Sequence, residues 1–143
     1  MANVVPDSFK TDLLKGTFNF DSSGGSTFKL ALYTDISGLT TATTAFTTTN
    51  EVSTSGTNYT SGGNTLTNNG VAIASNIAYV DFADLTFSSV TLSAVGALIY
   101  KATSNEAVLV LDFGGTKTAT NGDFVIQFPT ANSSNAIIRL GDA

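Results

Sequence analysis

The side chains that could do chemistry in this chain are carboxylates, hydroxyls, lysines and tyrosines, because the sequence contains neither histidine nor cysteine. Histidine is the commonest general base, and both missing residues are the usual ligands of transition metals. Asp81 and Asp84 form the nearest close carboxylate pair, and Asp112 lies in a run, Val-Leu-Asp-Phe, that echoes Tyr79-Val-Asp-Phe. Carboxylates of this kind can flank a glycosidic bond or bind calcium.

A simpler interpretation of these three aspartates is that they end strands and face water, because aspartate is routine at strand ends and turns. No spaced Asp-x-Asp-x-Asn calcium loop is present, and a Ser-His-Asp triad is impossible without histidine. The run Gly114-Gly-Thr-Lys117 lacks the spacing of a phosphate-binding loop. We therefore expect no catalytic residue, no cofactor, no metal site and no enzymatic activity.

The charge pattern argues against two classes of partner. Charged residues make up 12% of the chain, the net charge is −5, and the six basic residues are scattered singly. Without a basic stripe, direct binding to a nucleic acid is not expected. No apolar run approaches the roughly twenty residues that span a bilayer, and Met1–Pro6 does not resemble a secretory signal. We expect the protein to be made in a cytoplasm and to assemble there without a membrane.

The elements that must position these side chains are mostly strands. One short helix is predicted over residues 7–15, capped by Asp7 or Ser8 after Pro6 and stopped by Gly16. Residues 27–34 alternate as a strand with one face in a core: Phe28, Leu30 and Leu32 point one way, and Lys29, Ala31 and Tyr33 the other.

The second half of the chain reads as a series of short strands between polar turns. Residues 107–113 are apolar on both faces, which indicates a strand covered on both sides, near the middle of a sandwich. Gly114-Gly115 and Asn121-Gly122 are typical of turns. The other strands are predicted over residues 71–75, 77–82, 84–87, 90–101, 123–128 and 136–140.

These elements predict a single all-β domain over residues 1–143, an antiparallel β-sandwich or a jelly-roll-like barrel with one short N-terminal helix. Residues 1–16 form an N-terminal arm and the helix. Residues 35–70 are a long region rich in Thr, Ser and Gly with few large apolar side chains. A loop of this length in a small domain is usually functional or lies at an interface.

Several runs spread in order through nearly the whole chain are informative together. They are Ser8-Phe-Lys10, Phe28-Lys-Leu-Ala-Leu-Tyr-Thr34, Asn50-Glu-Val-Ser53, Tyr59-Thr-Ser-Gly-Gly-Asn-Thr-Leu66, Val80-Asp-Phe82, Gly96-Ala-Leu-Ile-Tyr100, Val110-Leu-Asp-Phe113, Lys117-Thr-Ala-Thr-Asn-Gly-Asp123, Gln127-Phe-Pro129 and Ala136-Ile-Ile-Arg139. In this combination the chain resembles a family of small virion structural proteins of tailed bacteriophages. The resemblance implies a non-enzymatic part of a phage particle, assembled in the host cytoplasm. It supplies no catalytic residues.

Within such a particle, we expect a capsid decoration (cement) protein that stabilises the shell. It would form a homo-oligomer, with a trimer favoured, and contact the major capsid protein or another virion protein. The alternatives are a tail, neck or baseplate component, a receptor- or glycan-binding module that uses residues 35–70, and a glycan hydrolase that uses Asp81 and Asp84. The expected virion or oligomer interface is a set of N-terminal residues too apolar to be left in water: Val4, Val5, Phe9, Leu13 and Leu14.

Overall fold

A computed structural model describes residues 3–142 of the chain, and the fold is mostly β, with one short helix and two antiparallel sheets. The all-β prediction is confirmed at this level. The described elements are α1 (Asp7–Leu14), β1 (Phe28–Tyr33), β2 (Asn64–Thr65), β3 (Asn68–Ala74), β4 (Ile77–Phe82), β5 (Leu85–Lys101), β6 (Ala107–Ile126) and β7 (Arg139–Leu140).

The larger sheet has four strands in the order β2-β1-β5-β6. It is built around one long hairpin, in which β5 and β6 pair from Tyr100↔Ala107 next to the connection to Leu85↔Ile126 at the far end. On its other side β5 pairs with β1 in register, for example Leu30↔Ile99. The central strands β1 and β5 thus have neighbours on both sides, and Leu30, Leu32, Leu98 and Ile99 on them are fully buried.

Two predicted turns are wrong, because both lie inside the continuous strand β6. The pairing passes from Ala94↔Lys117 to Gly96↔Asp112, so Gly114-Gly115 belongs to a bulge of extra residues rather than to a hairpin turn. Asn121-Gly122 sits in a smaller register shift between Val90↔Gly122 and Leu92↔Ala119. The runs on the two sides of each predicted turn belong to one strand, because both of them pair with the same long neighbour, β5.

The predicted boundary between residues 84–87 and 90–101 is wrong for the same reason. Both runs belong to β5, and the register shift between Phe87 and Val90 absorbs the irregularity. Ser89 takes a positive φ of 54° there, a conformation that fits a bulge more readily than a regular strand.

The smaller sheet has the order β3-β4-β7. β3 and β4 form a hairpin whose two turn residues, Ser75 and Asn76, have φ of 51° and 66°. Positive φ at both positions is what a type I′ turn requires. The closing strand is shorter than the predicted 136–140, because only Arg139 and Leu140 pair with β4.

The main core lies where the two sheets and the helix meet. Phe28 of β1 stacks on Phe20 with ring centroids 4.6 Å apart, and it meets Phe82 of β4 edge-on at 5.8 Å. Phe9 of α1 joins the same cluster through Phe18, at 5.0 Å. Aromatic side chains from both sheets and the helix therefore form one continuous core.

A second apolar cluster covers the opposite face of the larger sheet. It contains Ala31 and Tyr33 of β1 together with Ile36 and Leu39, and Phe46 packs against it. The prediction that Phe28, Leu30 and Leu32 share one face is confirmed. The prediction that only this face lies in a core is wrong, because residues 36–46 fold over the other face.

The capping of α1 and the burial of β6 can also be compared with prediction. Pro6 occupies the N-cap of α1 without a side-chain hydrogen bond, so neither Asp7 nor Ser8 caps it. Gly16 follows the helix end with φ 81°, and its N–H donates to the Leu13 carbonyl at 3.2 Å. Residues 107–111 are buried and contribute to both apolar clusters, as the prediction of a strand covered on both sides requires, and β6 is the outermost strand of its sheet.

Candidate functional site

The three candidate catalytic aspartates each accept a hydrogen bond from an N–H group of the protein. Asp84 Oδ1 accepts from the Phe128 N–H at 2.8 Å, and Asp81 Oδ2 accepts from Asn69 Nδ2 at 3.3 Å. Asp112 Oδ1 accepts from the Gly114 N–H at 2.8 Å, and this bond to the charged form lowers the pKa of the Asp112 carboxyl. These contacts hold the β4–β5 connection, the β3–β4 pair and the bulge of β6 in place.

Residues 3–142 bring together no group of three or more carboxylates that could hold a metal ion. Asp81 lies on β4, in the smaller sheet, whereas Asp112 lies on β6 and pairs with Gly96 in the larger sheet. The same described residues include no helix of the length and apolar character that crossing a bilayer requires.

Glu51 is a highly connected carboxylate, although the sequence patterns gave it no chemical role. Its Oε1 accepts from the Tyr59 hydroxyl at 2.8 Å and from the Gly62 N–H at 2.6 Å, and its Oε2 accepts from Ser61 Oγ at 2.8 Å. The Tyr59 hydroxyl in turn accepts from the buried Leu32 N–H at 3.0 Å. A relay of hydrogen bonds therefore runs from the backbone of β1 through Tyr59 to Glu51.

Two further tyrosines tie the same region to the larger sheet. The Tyr100 hydroxyl donates to the Gly62 carbonyl at 2.6 Å, and the Tyr33 hydroxyl donates to the Thr47 carbonyl at 2.6 Å. Burial, reinforced by the charge of Glu51, raises the pKa of Tyr100 to about 12. The pKa of Tyr33 is also raised, mainly by burial. These phenols are thus held protonated as donors.

The hydrogen bonds of this cluster connect the irregular region to the larger sheet. Glu51 accepts from three donors, and phenols with raised pKa values are poor nucleophiles. We name Glu51, Tyr59, Ser61, Gly62 and Tyr100 the Glu51 cluster. The cluster fixes residues 51–62 against β1 and β5. One sequence signal could have drawn attention to it: Glu51 is one of only two glutamates in the chain and lies in a polar stretch otherwise free of charge from Ile36 to Val80.

An apolar groove of about 590 Å³ lies between α1, the start of β6 and the C-terminal segment. Its lining is mostly aliphatic, and Leu14 and Leu140 on its border are 82% and 60% exposed. Lys10 and Arg139 also line it, so two of the six basic residues of an acidic chain stand beside one apolar surface. We call this surface the α1 groove; its lining residues are Val5, Phe9, Lys10, Leu13, Leu14, Ile77, Val108, Leu109 and residues 137–141.

The structure places four of the five expected interface residues around the α1 groove. Val5 and Leu14 are exposed, Leu13 is half-buried, and Phe9 is buried in the main core, so it forms the floor. Val4 lies elsewhere: it pairs with Val110 along the outer side of β6, with both backbone hydrogen bonds formed. The arm thus covers part of its own domain and also leaves apolar side chains open.

Most of residues 35–70 cover the larger sheet, and the end of the region supplies β2 of that sheet and the first residues of β3. Their larger side chains face inwards: Leu39, Val52, Tyr59 and Leu66 are each at most 6% exposed. Backbone bonds fasten the region to β1, with the Val52 N–H donating to the Leu32 carbonyl at 2.9 Å and the Leu66 N–H to the Phe28 carbonyl at 2.9 Å. What this region offers to solvent is mainly threonine, serine and asparagine.

Comparison with known proteins gave no match. No protein-family model, no curated protein and no solved structure matches this chain.

Proposed function

We propose that this protein is a non-enzymatic structural component of a tailed-phage virion, and that it acts as a capsid decoration protein on the shell. Its partner in this role is the major capsid protein or another virion protein, and copies of the chain associate with one another. The virion assignment rests on the sequence resemblance. The contact with a neighbouring subunit rests on the α1 groove.

The α1 groove is the observation that carries the docking role. It concentrates exposed aliphatic side chains in one place, and contiguous apolar surface of this kind marks protein contacts. Lys10 and Arg139 beside it favour a partner segment that is apolar with an acidic flank. Lys10 is already paired with Asp7 at 2.9 Å, but both side chains are well exposed, so the pair is weak and can exchange partners.

The rest of the fold suits a rigid part that performs no chemistry. Its long irregular region is fastened by the Glu51 cluster, and its surface is polar with few charges. We also propose that the two sheets stack as a β-sandwich. The contact of Phe28 in the larger sheet with Phe82 in the smaller sheet supports this arrangement.

Particles assembled without this protein give the direct test. A decoration protein predicts that such particles form, rupture more easily, and regain strength when purified protein is added. Its copy number in normal particles must scale with the shell lattice. A count of about twelve or fewer would instead match a symmetric tail or neck ring and contradict the decoration role.

Two matched variants test the docking surface in the same add-back assay. Leu14→Glu places a charge on the groove at a side chain that is 82% exposed, and Val125→Glu makes the same kind of change at a 54% exposed valine near the far end of β6. We expect Leu14→Glu to weaken binding to particles at least tenfold and Val125→Glu to leave it unchanged. Equal binding by both variants would remove the α1 groove from the proposal.

A further inference from the structure

The outer edge of β3 presents a short run of exposed apolar residues with free backbone groups. β3 is an end strand of its sheet, bordered only by β4. Val71 is 55% exposed and Ile73 is 73% exposed. Both lie on the same face of the hairpin as Val80, which pairs with Val71 and is buried in the main core. The base of the hairpin contributes to the main core, and the same apolar face continues beyond that core into solvent.

The hairpin turn shows which backbone groups of β3 point outwards. In a two-residue turn the flanking residues, Ala74 and Ile77, are hydrogen-bonded to each other, and bonding then alternates along an antiparallel pair. Ala72 therefore bonds to β4, whereas Val71 and Ile73 do not. A second observation agrees: the Val80 N–H, opposite Val71, donates away from β3 to the Ile138 carbonyl at 3.1 Å.

The N–H and C=O groups of Val71 and Ile73 thus face the open edge, where no other segment of residues 3–142 bonds to them. Edge strands of monomeric proteins are normally protected by charge, by proline or by a covering segment. β3, Asn-Asn-Gly-Val-Ala-Ile-Ala, carries no charged residue and no proline. The free edge ends at Gly70, because Ser22 lies against that residue.

We propose that the edge of β3 pairs with β3 of a second copy of this chain, antiparallel and about a two-fold axis at Ala72. In this register Val71 of each copy lies opposite Ile73 of the other. Both residues present outward-facing groups, so each of the two pairs exchanges two N–H···O bonds. The two sheets then join into one sheet of six strands.

The occupant is a second copy because this edge is complementary to itself. The two-fold register matches every outward donor of Val71 and Ile73 with an outward acceptor, and it sets their aliphatic side chains side by side across the pair. Two chains of net charge −5 repel one another, but they meet here along a strand without charge. Four hydrogen bonds make a weak contact in solution, which becomes effective when both copies are held on one particle.

This inference deepens the self-association in the proposed function, but it rests on β3 alone. The absence of native cysteine allows a clean test, since a single introduced thiol can pair only with its copy. Two Ala72 residues would face each other as a non-hydrogen-bonded pair with Cα atoms about 4.5 Å apart, within the range of a disulfide. Two Ala74 residues would be offset by four positions, about 14 Å along the strands.

Under mild oxidation we expect Ala72→Cys to give a disulfide dimer and Ala74→Cys, on the same strand and face, to give at least tenfold less. Sedimentation of the cysteine-free protein should show a concentration-dependent dimer that Ile73→Lys weakens at least tenfold. Amide exchange of Val71 and Ile73 should slow as the dimer forms.

Three results would overturn the inference. The first is equal cross-linking at both positions, and the second is an oligomer, trimeric included, that Ile73→Lys leaves intact. The third is protection of the β3 amides on particles where Ala72→Cys gives no disulfide dimer, which would assign the edge to another protein's strand. In each case the proposed function survives if add-back to particles still depends on Leu14, so the two failures are distinguishable.

Discussion

β6 and β3 are both outer strands of their sheets, but only β6 is covered along its buried part. The Val4 N–H donates to the Val110 carbonyl at 2.9 Å, and the Val110 N–H returns a bond at 2.8 Å. Nearer the hairpin connection, the Ala107 N–H donates to the Thr44 carbonyl at 3.0 Å. Val71 and Ile73 of β3 have no such covering among residues 3–142.

This difference shows that the segments without regular structure have a different role from the β3–β4 hairpin. Residues without regular structure, from the N-terminal arm and from 35–70, cover the larger sheet and complete its hydrogen bonds. The regular β3–β4 hairpin instead leaves the outer edge of β3 without a hydrogen-bonded neighbour among the residues that the structure describes. We therefore expect substitutions in the irregular covering to reduce stability strongly and substitutions on the open edge to change association instead.

The largest expected effect comes from Gly63→Ala, which would force the covering off the larger sheet. A Cβ at this position would lie 1.7 Å from the Leu30 carbonyl oxygen, and its φ of 76° disfavours alanine as well. The free energy of unfolding should fall by about 4 kcal/mol or more, among the most damaging of single substitutions. Urea unfolding followed by circular dichroism measures it.

Gly56→Ala is the matched control for Gly63→Ala, because Gly56 lies in the same region with φ 72° and a Cβ added there would meet no atom within 4 Å. It should cost only the strain of a left-handed residue, about 1–2 kcal/mol. Equal losses for the two variants would mean that close contact with β1 does not hold the covering in place.

The next effect in size is that of Glu51→Ala. The substitution leaves the N–H of the buried Gly62 and the Tyr59 hydroxyl without their acceptor. Because unsatisfied buried donors cost about 1–3 kcal/mol each, we expect a loss of about 3 kcal/mol. Glu51→Gln keeps the size and one acceptor oxygen and should lose about half as much. Amide exchange at Gly62 should speed up in both variants, and unchanged exchange would argue against the cluster.

Alkaline pH should loosen the covering before it affects the open hairpin. The pKa of Tyr100 is raised to about 12 by burial, so its protonated form is favoured in the folded state. The resulting stability is complete below the unfolded value of about 10 and is lost as pH rises from about 10 to about 12. The free energy of unfolding should fall more and more steeply as pH rises across this range, and Tyr100→Phe should make this fall less steep. If Tyr100→Phe left the slope of the unfolding free energy against pH unchanged, a group other than Tyr100 would cause the pH dependence.

Local sequence patterns predicted what depends on near neighbours. The alternation of Phe28, Leu30 and Leu32 identified a core face, and Pro6 and Gly16 bracketed the helix. The burial of Tyr33 on the other face could not be predicted in this way, because it depends on Ile36 and Leu39 folding back from a stretch dominated by threonine.

Most differences between the predicted and the observed structure come from contacts between residues that are far apart in sequence. Gly114-Gly115 forms a bulge only because residues on both sides of it pair with the same strand, and a sequence window around the glycines contains no sign of that strand. The Glu51 cluster likewise joins residues 51–62 to Tyr100, which is far away in sequence, and Tyr59 connects the cluster to the equally distant backbone of Leu32. The α1 groove was partly predictable, since four of its lining residues were expected to be interfacial on apolar character alone.

The smallest expected effect on stability is that of Ile73→Thr on the open edge. The side chain is 73% exposed, and threonine keeps the β-branched shape that strands favour. The free energy of unfolding should therefore change by no more than about 0.5 kcal/mol, as for most surface substitutions. Thermal unfolding at low protein concentration, where the chain is monomeric, measures this. Leu32→Thr, at a fully buried side chain of β1, is the contrasting control and should cost several times more. A large loss for Ile73→Thr in the monomer would show that the edge of β3 is packed within its own domain, and the contrast between the covered and the open strand would fail.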